Sequence, residues 1–134
     1  MTRALQLQLP IVKRSRPPPA TEFRTHCAIA DLIRRCLVKG WLWTAFPAGE
    51  NRSAITGARL KRMGLSPGWP DLIFFHRSGK VCFLELKRKG GRMSDDQKRI
   101  ASFLALAGHE HYVAYSFDDA KWKLIEWGVL RGVH

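Results

Sequence analysis

Two short apolar runs, at about residues 71–76 and 80–87, stand on either side of the turn "RSGK", and the pattern predicts a β-hairpin there. Upstream, Phe23, Cys27, Ala30, Ile33 or Arg34, and Leu37 recur at helical spacing between a capping residue, Thr21, and Gly40, which predicts a helix with one wide apolar face. "WLWTAF" then reads as a strand, closed by Pro47 and Gly49. The next stretch is polar and rich in glycine, with a short helix predicted from Ser53 to Met63 and a turn at Ser66 to Gly68. After the hairpin, Ser94 and Gln97 have the spacing of a capping box, opening a helix that ends near Gly108. "HYVAYS" predicts a fourth strand and "FDDAKWKLIEWGV" a last helix. A hairpin is antiparallel, and a helix before the fourth strand permits a parallel crossover, so the expected fold is an α/β sandwich on one mixed sheet.

Composition sharpens this picture. A chain of 134 residues, 46% hydrophobic, is one domain with enough apolar material for a proper core. The net charge of +12 points to a polyanionic partner, nucleic acid first and an anionic membrane surface second. No run of about 18 apolar residues is present, so nothing is expected to span a membrane. The N-terminus is too charged and too broken by Pro10 to read as a secretory signal, and an intracellular protein is expected. Residues 1–20, ending in "KRSRPPPA", read as a basic, proline-rich tail, either an arm that docks on a partner or a disordered terminus. Cys27, Cys36 and Cys82 lack C-x-x-C spacing and are expected to be buried, reduced thiols. His26, His109 and His111 show no metal-ligand spacing.

The hairpin carries the chemistry. Strand side chains alternate between faces, so Glu85 and Lys87 share one, and the turn brings Asp71, at the start of the first strand, back beside them. Two carboxylates so close resist joint ionisation unless a cation lies between them, and a hard divalent ion such as Mg²⁺ or Mn²⁺ suits their oxygens. Beside a phosphodiester, such an ion would polarise a phosphoryl oxygen and acidify a water, with Lys87 orienting that water or stabilising charge on phosphorus. A plainer arrangement is that Asp71 caps the strand and Glu85 pairs with Lys87 as an ordinary salt bridge.

P-D, a hairpin and then E-L-K resemble the PD-(D/E)XK nuclease motif, carried by Asp71, Glu85 and Lys87. The surroundings, "GARLKRMGLSPGWPDLIFF", "GKVCFLELKRKGGRMSDDQ" and "GHEHYVAYSFDDAKWKL", resemble the VRR-NUC branch of that superfamily over about residues 22–127. The resemblance implies a restriction-endonuclease-like αβββαβ core, with a central mixed sheet flanked by helices, in a nuclease domain spanning 21–134. It further implies a metal-dependent endonuclease acting on DNA, structure-specific for branched or Holliday-junction-like substrates and resembling junction resolvases in dimeric form. Trp69 departs from the small or β-branched residue often found before the Pro-Asp pair. By the same likeness Gln97 joins the active-site rim. Its spacing with Ile100, Ala101 and Leu104 points it toward the sheet, and a purely capping role stays open beside that. Glu22, in the first helical turn, is the expected third acid for the metal, although the helix dipole alone would welcome an acid there.

Arg52, Arg59, Lys61 and Arg62 precede the motif, and Arg88, Lys89 and Arg92 follow it. A carboxylate cluster repels phosphate, so cations on both sides are expected to hold the substrate. Trp69, beside Asp71, is the aromatic residue expected near DNA, whereas Trp41, Trp43, Trp122 and Trp127 suit a core or an interface. With Ile125, those four give more apolar material than one small sheet needs, which suggests a homodimer. The rival to an endonuclease is a non-catalytic DNA-binding module on the same fold that recruits other proteins.

Overall fold

The computed structural model describes residues 20–46 and 54–132. The basic tail, apart from Ala20 at its end, and Arg52 lie outside them, as do Pro47 and Gly49. The elements run α1 (Ala20–Cys36), β1 (Trp41–Ala45), α2 (Ala54–Arg62), β2 (Leu72–His76), β3 (Val81–Leu86), α3 (Asp95–Leu106), β4 (Glu110–Ala114) and α4 (Phe117–Glu126). They build a four-stranded sheet in the order β1-β2-β3-β4. The pairs β1–β2 and β2–β3 are antiparallel, while β3–β4 is parallel, reached through α3 as the crossover. The mixed sheet flanked by helices is the fold class the pattern predicts.

Several boundaries differ from expectation by a few residues, two of them for a clear local reason. Thr21 does not cap α1 but lies in its first turn, where its carbonyl accepts the Thr25 hydroxyl at 2.9 Å. The fourth strand stops at Ala114 because Ser116 caps α4, its hydroxyl accepting the Asp119 N–H at 3.0 Å.

Alternation along β2 and β3 divides the core between the two faces of the sheet. On one face Leu72, Phe74, Cys82, Leu84, Leu86 and Ala114 pack under Ile29, Leu32 and Ile33 of α1 and Ala120 and Leu124 of α4. Trp41 and Trp127 are buried in the same cluster, so these two rings are core rather than interface. On the other face Phe83 packs under Ile100 and Leu104 of α3, edged by Trp69, Ile73 and Val81. Trp43 is half-buried beneath the Arg34 guanidinium, and Trp122 is 60% exposed. Among the described residues no helix is long and apolar enough to cross a membrane.

The α1 stripe is shifted from the predicted one. Burial begins at Ile29, and Phe23 and Cys27 are exposed, because the first turns of the helix stand clear of the core they were expected to join. The cysteines therefore differ: Cys27 is exposed, Cys36 intermediate and Cys82 buried, all three free. Burial pushes the Cys82 thiol up to about 11. A thiol-disulfide reagent at pH 8 should accordingly modify Cys27 in the folded protein while Cys82 reacts only after denaturation. Mass mapping of the labelled peptides checks this, and rapid labelling of Cys82 under native conditions would contradict the burial.

Candidate active site

The β2–β3 register pairs Leu72 with Leu84, and one step further along both strands sets Asp71 opposite Glu85. Asp71 is held from both sides. Its carbonyl accepts the Phe46 N–H at 2.7 Å, and its Oδ2 accepts the Leu86 N–H at 2.7 Å. The Asp71 carboxyl lies close enough to that of Glu85 to share a proton with it when one of the two is neutral. Glu85 shares the face of Phe83 and lies near α3, only 2% exposed, the one buried charged residue among those described. Burial, then the hydrogen bond and negative charge of Asp71, push its carboxyl up to about 10, against a smaller opposing effect from Lys87. Without a cation, the burial of Glu85 and the carboxyl of Asp71 thus both favour its protonated form.

Gln97 resolves the choice between cap and rim by being both. The Ser94 hydroxyl accepts the Gln97 N–H at 3.1 Å, and Gln97 Oε1 accepts the Ser94 N–H at 2.8 Å, completing the capping box. The same amide has its Nε2 left over, and this donates to Glu85 Oε1 at 3.1 Å. Fixing one end of the amide at the helix start thus aims the other at the buried acid.

Lys87 lies just past β3, half-buried, with its N–H donated to the Ala114 carbonyl at 2.8 Å. The ion pairs among the described residues are Arg34–Asp31, Arg99–Asp96 and Lys123–Glu126, so a simple Glu85–Lys87 salt bridge is not what holds the acid. Glu22 is half-buried in the first turn of α1. Its charge reaches Glu85 as the weakest of the effects upon it, and among the described residues no group of three His, Cys, Asp or Glu side chains could hold a metal ion. Asp71 and Glu85 remain as an oxygen pair whose joint ionisation requires a cation, and a hard divalent ion fits that donor set.

Trp69 is half-buried, its ring centroid 6.3 Å from that of Phe46 and 6.4 Å from that of Phe83, so it packs beneath the rim and seats Pro70 and Asp71. Gly68 approaches α3 more closely than any side chain would permit. Its φ is +96°, and a Cβ there would meet the Asp96 carbonyl group at 2.6 Å. The loop carrying Asp71 is thereby pressed onto the helix turn carrying Gln97. Arg88, Lys89 and Arg92 are exposed in the loop after Lys87, and Lys61 and Arg62 are exposed at the end of α2. The composition of "SPGWPD" signals a turn, but nothing in it signals that Gly68 is a contact point.

Two outcomes follow from this geometry. A carboxyl raised from its ordinary value destabilises the fold when ionised, so its contribution is lost as pH rises from the ordinary carboxylate range toward 10. In chelator, Glu85→Gln should therefore gain on the wild type by at least about 1 kcal/mol between pH 5 and pH 9, measured by urea unfolding. A difference independent of pH would contradict the burial argument. Gly64, with φ +106° and nothing within 4 Å of a Cβ, is an internal control for Gly68. Gly68→Ala should cost roughly 1 kcal/mol more stability than Gly64→Ala, since only the former adds a clash to the strain. Equal costs would mean that the contact with α3 yields freely.

Residues 27–118 match the VRR-NUC domain family. Solved structures resemble the chain, two of them as follows. One, a VRR-NUC domain protein, is 22% identical with a TM-score of 0.65, the match covering 81% of this chain and 88% of that one. The other, a VRR-NUC domain, is 23% identical with a TM-score of 0.55, covering 81% of this chain and 97% of its own. At such identities the likeness is one of fold. No curated protein matches the chain. The family match takes in the hairpin, the Asp71 and Glu85 pair and the helix bearing Gln97, and the chain belongs to the VRR-NUC domain family, which is of nuclease type with a DNA-related function.

Proposed function

We propose that the protein is an intracellular Mg²⁺- or Mn²⁺-dependent endonuclease that hydrolyses phosphodiester bonds in branched DNA. The observation that carries this reading is the buried Glu85 opposite Asp71, which is unfavourable in the absence of a cation. Asp71 and Glu85 would hold the ion, and when bound it supplies a polarised phosphoryl oxygen and a more acidic water. The chain's own residues do the rest. Gln97 holds the Glu85 carboxylate in place, and the α3 cover excludes bulk solvent from it. Lys87 supplies a positive charge beside the pair, suited to the charge that grows on phosphorus. Lys61 and Arg62 on one side, with Arg88, Lys89 and Arg92 on the other, take backbone phosphates that the acids alone would repel. A recruitment module without catalysis has no use for a desolvated carboxyl, which costs stability.

Cutting both related strands of a branch calls for two sites, and a twofold dimer supplies them. The exposed Trp122 on α4, outside the core that buries Trp41 and Trp127, supports a second copy as its cover.

Cleavage of duplex, flap, splayed and four-way substrates with Mn²⁺ or with chelator tests the reading, with light scattering in the same buffer for the mass. Metal-dependent cutting of the branched substrates by a dimer is expected. Asp71→Ala or Glu85→Ala should abolish it while DNA binding stays equal or tightens, and Lys87→Ala should slow it by about 10²-fold or more. Near-normal cutting by either carboxylate variant would sink the assignment.

A further inference from the structure

Helix α2 is unlike the others. None of its nine residues is buried, it contains no acid, and its last turn carries Arg59, Lys61 and Arg62. At 100° per residue, Ile55, Arg59 and Arg62 fall on one face, at i, i+4 and i+7, while the half-buried Leu60 is turned away from it. Ile55 is 69% exposed. Among the described residues none of the three cations forms an ion pair. A helix this short is marginal in isolation, and Gly57 within it costs about 1 kcal/mol relative to alanine. The helix dipole welcomes cations in a last turn. It does not account for an isoleucine set out among them, nor does it relieve the repulsion of three like charges on so short a helix.

Position supplies the rest. The β1–β2 connection that bears α2 is fixed at both ends beside Asp71, by the Phe46 N–H to Asp71 carbonyl bond and by the close seat of Gly68 on Asp96. An unburied cationic helix thus belongs to a connection whose described ends, Phe46 and Gly68, are anchored at Asp71 and at the helix bearing Gln97. We infer that the outer face of α2, formed by Ile55, Arg59 and Arg62 with Lys61 beside them, is a DNA-contact surface that selects branched substrates. The cations take backbone phosphates, and Ile55 meets a base left unstacked at the branch, as apolar wedges do in bent or opened duplexes. This rests on the nuclease reading above and adds the element that distinguishes branch from continuous duplex.

Fluorescence anisotropy in chelator, with a labelled duplex and a splayed fork of equal base-pair count, tests the inference on the full chain without cutting. The triple variant Arg59→Ala, Lys61→Ala, Arg62→Ala should lose about 10-fold or more in affinity for the fork, with the log–log salt slope shallower by about 2 to 3. Ile55→Ser should weaken the fork by about 5-fold or more and the duplex by less, narrowing the ratio between them. An unchanged salt slope in the triple variant, or an unchanged ratio in Ile55→Ser, overturns the inference. Limited trypsinolysis of the wild type needs no variant: DNA should slow cleavage after Arg59, Lys61 and Arg62 more than after Arg77 in the distant hairpin turn, and equal slowing overturns it. Wild-type protein that binds neither DNA would instead remove the nuclease reading beneath it.

Discussion

A carboxyl almost wholly withdrawn from water, directly across a strand pair from a second carboxyl, is the constraint around which the molecule is arranged. Desolvating an ionised group is costly, and placing another acid against it adds to the cost. The fold can tolerate Glu85 only by satisfying its neutral form through Asp71 and Gln97, or its charged form through a cation and Lys87. Both options use the same side chains in the same places. Under the proposed function, the same rim would exchange a proton for a metal without rearrangement of the backbone.

That readiness depends on register. Because side chains alternate along a strand, a slip of one residue between β2 and β3 would separate Asp71 from Glu85 and transfer Glu85 to the face occupied by α1 and α4. The core prevents the slip. Leu72, Phe74, Cys82 and Leu84 interlock on one face, Ile73 and Phe83 on the other, and the parallel pairing with β4 continues past β3 through the Lys87 N–H. The apolar packing therefore fixes the spacing of the polar groups, and the second, smaller core under α3 does so most directly, since Phe83 lies two residues from Glu85.

The hairpin, the crossover and the capping box were legible because each depends on local periodicity or on contacts three residues apart. Asp71, Glu85 and Lys87 were legible for the same reason: strand alternation and one tight turn suffice to bring them together. What sequence could not supply was the orientation of elements distant in the chain. The wide apolar face of α1 permitted several stripes, and only the docking of α1 excludes Phe23 and Cys27 from the core. Ser94 and Gln97 read as a cap from their spacing alone. That the same glutamine also reaches Glu85 follows from how closely α3 approaches β3, which Gly68 and Phe83 set across long stretches of chain.

The distribution of charge carries the division one step further. Asp71 and Glu85 are held rigidly, by strand register, backbone hydrogen bonds and a capped helix, as the proposed metal coordination and in-line chemistry would demand. The cations that surround them are exposed and lie on the elements with the least packing, α2 and the loop after Lys87. Phosphates are spaced by the nucleic acid rather than by the protein, so the groups that grip them gain from being able to adjust. If the protein is the endonuclease proposed above, a stiff acidic rim set within a compliant basic border would let one small sheet demand a fixed geometry at the scissile bond while accommodating DNA whose backbone departs from the regular duplex.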